Sequence, residues 1–453
     1  MLDTLKSICE RYDHYTELRY HDRIQNRIRV RTGILEEARS NRITGVGARV
    51  LIGGAWGFSS TSNTDKEAII DAVEKAKRAA KARVVEEKVD IAPTPLATGR
   101  FESSPTEDSL VDHSLEEKLS LCIGANKMMD GVIGTTIYYE YIDHKYIATN
   151  DGAFCEIVDM KPTFMTIAVA SEGAERVEVY GGKGVTGGWK ALFSERSAAD
   201  IASESRDKAL TLLHAKRVGG GRATVIIAPD VTGILAHEAI GHTVEADLVL
   251  SGSIVSGKIG QKVANDCVTL VDSGQSPIKE NAEGVVLVDD EGVPTKKTVI
   301  IDNGILRSYL HNRETAARFG VEPTGNARAF EYSDEPIIRM RNTYIEPGDW
   351  NFEEMVEDMR EGYLIKNPLN GEASLSADFM FGIAEAYPIH NGELGDVEKL
   401  AAISGNAFDV LRSTDAISRD FEYCKPGHCG KGQPAKVGLG GPYIRCKAII
   451  GGV

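Results

Sequence analysis

Residues 219–242 read GGGRATVIIAPDVTGILAHEAIGH, and they divide the chain into two parts of different character. The glycine run at 219–221 is the clearest break in the sequence, and a strand-like run over 224–228 follows it. Asp230 is a good acceptor for a helix N-cap, so we predict a helix from about residue 231 to 250. We therefore place a domain boundary at the glycine run.

The two sides of this boundary differ in their predicted secondary structure. Residues 1–218 mix amphipathic helices with alternating strand-like runs, whereas residues 219–453 are mostly strand-like and carry Asn-Gly hairpin signals at 303–304 and 391–392. We predict an α+β protein with a mixed α/β N-terminal domain and a β-rich C-terminal domain, barrel-like or built on a large sheet, that carries the 231–250 helix. Further predicted helices cover 2–12, 65–84, 115–129 and 195–216; strand-like runs include 15–20, 43–52, three between 133 and 169, 284–288, 297–301 and 448–450.

Composition excludes several classes of protein. The 453 residues are 42% hydrophobic and 26% charged, which is typical of an ordinary globular protein. A net charge of −15 argues against a nucleic-acid partner and against docking on anionic membranes. The sequence contains neither an apolar stretch of about 20 residues nor a signal-peptide pattern, and its seven cysteines are scattered. We therefore predict a cytoplasmic protein with reduced thiols and no membrane partner.

The predicted helix carries His237, Glu238 and His242. Zinc favours imidazole ligands, and a carboxylate beside a metal-activated water can act as a general base. However, five steps along an α-helix rotate by about 140°, against about 40° for the usual four-step spacing. A single π-type turn would restore a common face, and Gly241 gives the backbone freedom to form one. The spacing thus predicts a local distortion; otherwise the two histidines are coincidental neighbours, one buried and one solvated.

A site with two histidines needs a third protein ligand. Glu245 and Asp247 lie one turn further along, although such carboxylates are commonly solvated or helix-capping. The distant candidate is Cys429, which lies in a glycine-rich turn beside Lys431 and could be held there as a thiolate. A plain buried or free cysteine is the ordinary alternative. The residue types leave this choice open.

Short motifs occur in a fixed order over nearly the whole chain. They are ITGVG (43–47), GAWGFSST (54–61), HEAIGH (237–242) with Glu245 and Asp247, TGNAR (324–328), RMRNTY (339–344) and CGK (429–431). Together they resemble the TldD/PmbA family, and specifically its metal-bearing, TldD-type subunit. Several unrelated motifs in one order are far more specific than any of them alone.

The resemblance implies a zinc metalloprotease that hydrolyses unfolded or flexible peptides. It implies a heterodimer with a PmbA-type (TldE) partner that lacks the metal motif, or a homodimer where that partner is absent. It also implies His237, His242 and Cys429 as metal ligands and Glu238 as general base. His428 is the substitute ligand, because the turn after Cys429 is one residue shorter than the family form.

Two other functions remain compatible with the sequence. A non-catalytic subunit that binds peptides or regulates a partner should lack the glutamate between the metal ligands, whereas this chain keeps Glu238. A metal hydrolase of modified, non-standard peptides would use the same residues. A substrate screen separates that activity from ordinary proteolysis.

Overall fold

The computed structural model describes residues 1–84, 87–103, 108–275, 278 and 281–451. Among these residues, no helix combines the length and the apolar character that crossing a bilayer requires.

The first part of the chain alternates long strands with capped helices. Ser114 and Ser197 begin two of the helices with capping boxes, in which each hydroxyl accepts a hydrogen bond from the backbone N–H three residues on. The helices are α1 (Leu2–Cys9), α2 (Lys66–Ala82), α3 (Leu115–Lys127), α4 (Trp189–Leu192) and α5 (Ala198–His214). The strands are β1 (Tyr15–Arg31), β2 (Ile34–Ile52), β3 (Ala55–Thr61), β4 (Thr98–Glu102), β5 (Ile133–Thr149), β6 (Phe154–Glu172) and β7 (Glu175–Gly184).

These strands form one sheet in the described residues. Strands β3, β2, β1, β5 and β6 are neighbours in that order, and β4 and β7 both pair with β6. Helices α1 and α2 share a buried apolar cluster with β1 and β2, and α3 and α5 share another with β5 and β6. Charged side chains of the sheet, including Arg19, Arg49 and Lys145, contact the second part of the chain.

The second part begins with β8 (Gly221–Ile227) and is dominated by strands. Its helices are α6 (Pro229–Ile234), α7 (Ala246–Leu250), α8 (Arg313–Phe319), α9 (Phe352–Glu357) and α10 (Ala407–Ser413). Its further strands are β9 (Leu270–Ser273), β10 (Lys297–Asp302), β11 (Ile305–Leu306), β12 (Ala327–Arg328), β13 (Ile337–Ile338), β14 (Asn342–Ile345), β15 (Glu361–Ala373), β16 (Asp378–His390), β17 (Glu393–Leu394), β18 (Glu398–Lys399), β19 (Ala402–Asn406), β20 (Ala416–Cys429) and β21 (Ala435–Gly451).

Five of these strands close into a barrel. Strand β8 pairs with β15 and β21, β21 pairs with β19, and β16 joins β19 to β15, so each strand has two neighbours in the ring. Strands β14, β9, β10 and β11 extend the sheet from β21. Strand β20 pairs with β21 as a hairpin, which carries the CGK turn toward the helix that follows β8. The architecture confirms the predicted fold class, including the barrel-like second part.

Local signals predicted some elements correctly and others wrongly. Both Asn-Gly turns form hairpins, with positive φ at Asn303 (47°) and Asn391 (50°). The three runs predicted between 133 and 169 are instead two long strands, β5 and β6. Residues 284–288 form no strand, because the backbone N–H of Gly284 and Val286 bond to an asparagine side chain and to a loop carbonyl. The two-domain division at the glycine run stays a prediction.

A buried ion network joins the two parts of the chain. The Arg49 guanidinium lies 2.8 Å from Glu17 and 2.6 Å from Glu291, and all three side chains are buried. We expect Arg49→Leu to lower the free energy of unfolding by about 3–5 kcal/mol, because two buried carboxylates each lose a cationic partner. Glu17 keeps a second one, Arg19, at 3.2 Å. Urea unfolding followed by circular dichroism measures this loss.

The exposed ion pair between Arg42 and Asp22 provides the matched control. Arg42→Leu should leave the unfolding midpoint nearly unchanged, because solvent screens that pair. Equal losses in the two variants would contradict the role given to the buried network.

Candidate metal centre

The segment after β8 is a helix interrupted at the histidines. It runs as α6, then a π-helical stretch over Leu235–Gly241, a 3-10 turn over His242–Val244, and α7. The His242 N–H donates to the His237 carbonyl, a bond across five residues that defines the π turn. The predicted local distortion is therefore confirmed, whereas the prediction of one continuous helix over 231–250 is wrong.

Gly241 has a different role from the predicted one. Its φ of −56° and ψ of −45° are ordinary helical values, so the π turn does not use a conformation that favours glycine. A Cβ atom at this position would instead lie 2.0 Å from Met340 Sδ. A side chain at position 241 would therefore force Met340 to move, because the helix lies tightly against that residue.

The π turn brings both histidines to one residue of the β20–β21 hairpin. One ligand atom each from His237, His242 and Cys429 lies within 4.8 Å of the others, and His242 Nε2 is 3.2 Å from Cys429 Sγ. His237 is 1% exposed and Cys429 3% exposed. Neither ring nitrogen of His237 has a hydrogen-bond partner among the described residues. Two buried nitrogens without partners and an adjacent sulfur are the donor set expected of a zinc site.

Glu238 lies on the open side of this cluster. Its Oε2 atom is 3.7 Å from His242 Nε2, its Oε1 atom is 4.0 Å from His237 Nε2, and its side chain is 33% exposed. Glu238 and His242 border a cavity of about 300 Å³, together with Lys431 and residues 373–375. A carboxylate that reaches both the cluster and a cavity can exchange protons with a molecule bound there.

The charges around the cluster favour a thiolate. Burial raises the pKa of Cys429, but the neighbouring His237 and His242 outweigh it and lower this pKa to about 3. Burial lowers the pKa of His242, but Cys429 and Glu245 outweigh it and raise this pKa to about 10. A thiolate is the form in which cysteine binds metal.

The other candidate ligands lie outside the cluster. Glu245 is fully buried, and its Oε2 atom is 2.6 Å from His242 Nδ1, the ring nitrogen turned away from Cys429. Asp247 forms an ion pair with Lys431. His428 is next to Cys429 on strand β20, where successive side chains point to opposite faces, and its Nδ1 atom is 3.0 Å from the Tyr139 hydroxyl.

One further residue beside this cluster has a structural role. Arg339 donates from Nη2 to the Cys429 carbonyl at 2.8 Å and from Nη1 to the Gln433 carbonyl, so it holds the turn that presents the cysteine. In the sequence, the RMRNTY motif is the feature that draws attention to this arginine. A buried arginine is too rare to expect from residue type, because burial of a charge requires partners that only the fold provides.

Comparison with known proteins assigns the chain to a family. Three family models match in order: PmbA/TldA metallopeptidase domain 1 at residues 16–80, the central domain at 108–213 and the C-terminal domain at 220–451. The chain belongs to the PmbA/TldD family. This confirms the resemblance drawn from the motifs.

Relatives of this PmbA/TldD chain are similar over almost its whole length. A metalloprotease of Methanocaldococcus jannaschii is 37% identical and covers 99% of both sequences. The zinc metalloprotease TldD homolog of Saccharolobus solfataricus is 32% identical and covers 90% of both. Among solved structures, TldE from Thermococcus kodakarensis superposes with a TM-score of 0.79 over 99% of both chains, at 18% identity. At that identity the structure shows a shared fold.

Proposed function

We propose that this chain is a zinc-dependent peptidase whose single metal site is formed by His237, His242 and Cys429. The observation that carries the proposal is the convergence of two imidazoles and a thiolate within 4.8 Å on the π turn. The names of the curated relatives, metalloproteases and a zinc metalloprotease TldD homolog, support the same activity.

The residues present fit zinc better than a hard cation, because nitrogen and sulfur ligands suit zinc. A zinc ion held here would supply Lewis-acid chemistry, which lowers the pKa of water and polarises a peptide carbonyl. Glu238 then acts as general base: it accepts the proton of the attacking water and donates it to the departing amine. Glu238 is suited to this role because its carboxylate borders both the ligands and the 300 Å³ cavity.

Glu245 orients His242 for metal binding. The carboxylate is fully buried, and its contact with Nδ1 leaves Nε2 as the nitrogen that faces Cys429. We expect Glu245→Gln to weaken zinc binding by about 10- to 100-fold, as losing a carboxylate behind a histidine ligand typically does. Competition with a chromophoric chelator measures this change in affinity.

Glu361 provides a control of the same chemistry, because its carboxylate lies 2.8 Å from His390 Nδ1 on the exposed surface. Glu361→Gln should leave zinc affinity unchanged. An unchanged affinity in Glu245→Gln would show that Glu245 does not orient a ligand.

The substrate class we propose is the peptide bond of unfolded or flexible peptides. The 300 Å³ cavity beside Glu238 accommodates a few residues of an extended chain, and it lies next to the strand end at residue 373. We further propose that a TldE-type subunit is the partner, with self-association as the alternative. The thiols of Cys9, Cys122, Cys155, Cys267, Cys429 and Cys446 are free, which supports the cytoplasm as the location.

Hydrolysis of a short unstructured peptide tests this function. The zinc-loaded chain, alone or with a TldE-type subunit, should cleave the peptide, and a chelator should stop the cleavage. Peptide binding without cleavage in every combination would favour a regulatory subunit. Cleavage restricted to chemically modified peptides would favour a hydrolase of non-standard peptides.

A further inference from the structure

A second cavity, of about 70 Å³, lies between the sheet of the first part and the loops of the second. Its walls come from β1, β5 and β6, from residues 285–288, 290 and 328–330, and from the start of β21. Three carboxylates line it: Asp143, Asp159 and Asp290. Six cationic side chains also line it: Arg23, Lys145, Lys161, Arg328, Arg339 and Lys436.

Each of these carboxylates is already paired with a cationic side chain. Asp143 binds Arg23 through two hydrogen bonds of 2.6 and 2.8 Å, and Asp290 accepts from Lys145 at 2.9 Å. Asp159 lies 3.2 Å from Lys161. Lys436 pairs with Glu283, a buried carboxylate outside the cavity wall.

Two arginines form no direct ion pair with a carboxylate among the described residues, although the charges of Asp290 and Asp272 act on Arg328. Arg328 donates to the Met340 and Lys436 carbonyls, at 2.6 and 2.8 Å. Arg339 donates to the carbonyls of Cys429 and Gln433. Backbone carbonyls satisfy N–H groups but carry no net charge, so the cavity retains an excess of positive charge.

Some donors in this wall have no partner at all in the described part of the chain. Arg339 is 1% exposed, and its Nε atom makes no hydrogen bond; the same holds for Nη1 of the buried Arg23. A buried charged donor without an acceptor is costly. Burial, together with Arg339, lowers the pKa of Arg328 to about 10, as expected where positive charges crowd together.

We propose that this cavity binds a small oxyanion, a phosphate or carboxylate group, through Arg328 and Arg339, with Arg23 contributed by the first part of the chain. Guanidinium groups match such oxygens with paired N–H donors. A volume of about 70 Å³ admits one such group, either a free oxyanion or the terminal carboxylate of a peptide, but has no room for a longer stretch of peptide. The inference is independent of zinc and of peptidase activity. Bound there, the anion bridges the two parts of the chain.

Titration calorimetry of the full, metal-free chain tests the site, with sodium phosphate and sodium acetate as ligands at constant ionic strength. The wild type should bind one anion per chain. Arg339→Gln should weaken binding about ten-fold or more, because it removes a charged donor. Arg176→Gln is the control, since Arg176 is exposed on the surface.

Because Arg339 also holds the Cys429 turn, Arg328→Gln provides a second variant, and circular dichroism verifies that both are folded. Weaker binding in both arginine variants supports the site. The absence of saturable binding in the wild type, or the wild-type affinity in both variants, overturns it.

A short peptide with a free or an amidated carboxyl terminus identifies the source of the anion. Tighter binding of the free acid, lost in Arg328→Gln, identifies the end of a peptide as the ligand. Equal binding of the two peptides, together with phosphate binding, identifies a free oxyanion.

Discussion

Glu238→Gln is expected to lower kcat for peptide hydrolysis by about 10²- to 10⁴-fold, the contribution typical of a general base. The substitution keeps the size of the side chain but removes its ability to accept a proton. Zinc content should not change, because the three ligand atoms come from other residues. Steady-state hydrolysis of an unstructured peptide, with metal analysis of the same sample, measures both quantities.

A surface carboxylate on helix α9 is the control for this experiment. Glu353→Gln should behave as wild type, because Glu353 is exposed and lies outside the lining of the 300 Å³ cavity. Full activity in Glu238→Gln would mean that another group takes the proton. Loss of zinc from that variant would instead make Glu238 a ligand.

Cys429→Ala is expected to reduce bound zinc from about one ion per chain to well below half of that, since catalytic zinc sites use three protein ligands. The thiolate is the charged ligand of the set, and two histidines alone hold zinc weakly. Elemental analysis after gel filtration measures the stoichiometry. Peptidase activity should fall in parallel with the metal.

Two other variants sharpen this result. Cys267→Ala removes an exposed cysteine and should keep full zinc content. His428→Ala should also keep it, because His428 contacts Tyr139 rather than the cluster. If zinc is retained in Cys429→Ala but lost in His428→Ala, the third ligand is His428 and not Cys429.

The sequence was most informative where the signal is local. The five-residue spacing of His237 and His242 predicted a distorted helix, and the π turn over Leu235–Gly241 confirms it. The role predicted for Gly241 is wrong, because the limiting factor is its distance from Met340, a residue on another element. Backbone freedom can be inferred from residue type, whereas tight packing depends on which element lies opposite.

The proposed third ligand shows where local reasoning fails. Residue types left Glu245, Asp247 and Cys429 open, since all three can bind a metal. Cys429 reaches the helix across 187 residues of sequence, through the β20–β21 hairpin. Spacing along the chain does not encode such a contact, so the residues alone leave Cys429 as one candidate among three, and the family motifs favour it over the other two.

The same limit applies to the fold. The Asn-Gly hairpins follow from short-range chemistry, and the sequence predicts them. The N-cap assigned to Asp230 is wrong, because α6 begins at Pro229 after an N-cap at Ala228 that makes no side-chain cap hydrogen bond. The barrel closes through pairing of Ile444 with Ile227, which no local pattern specifies. Val285 and Val288 resemble strand residues, yet they are buried in a loop by tertiary contacts. An apolar run shows that a segment is buried but does not decide its backbone pairing.

X-ray absorption at the zinc edge of the loaded, wild-type chain tests the central claim most directly. We predict one sulfur at about 2.3 Å and two imidazole nitrogens at about 2.0–2.1 Å from the metal, together with one further light atom. A zinc environment without sulfur, or without two imidazoles, would contradict the site formed by His237, His242 and Cys429.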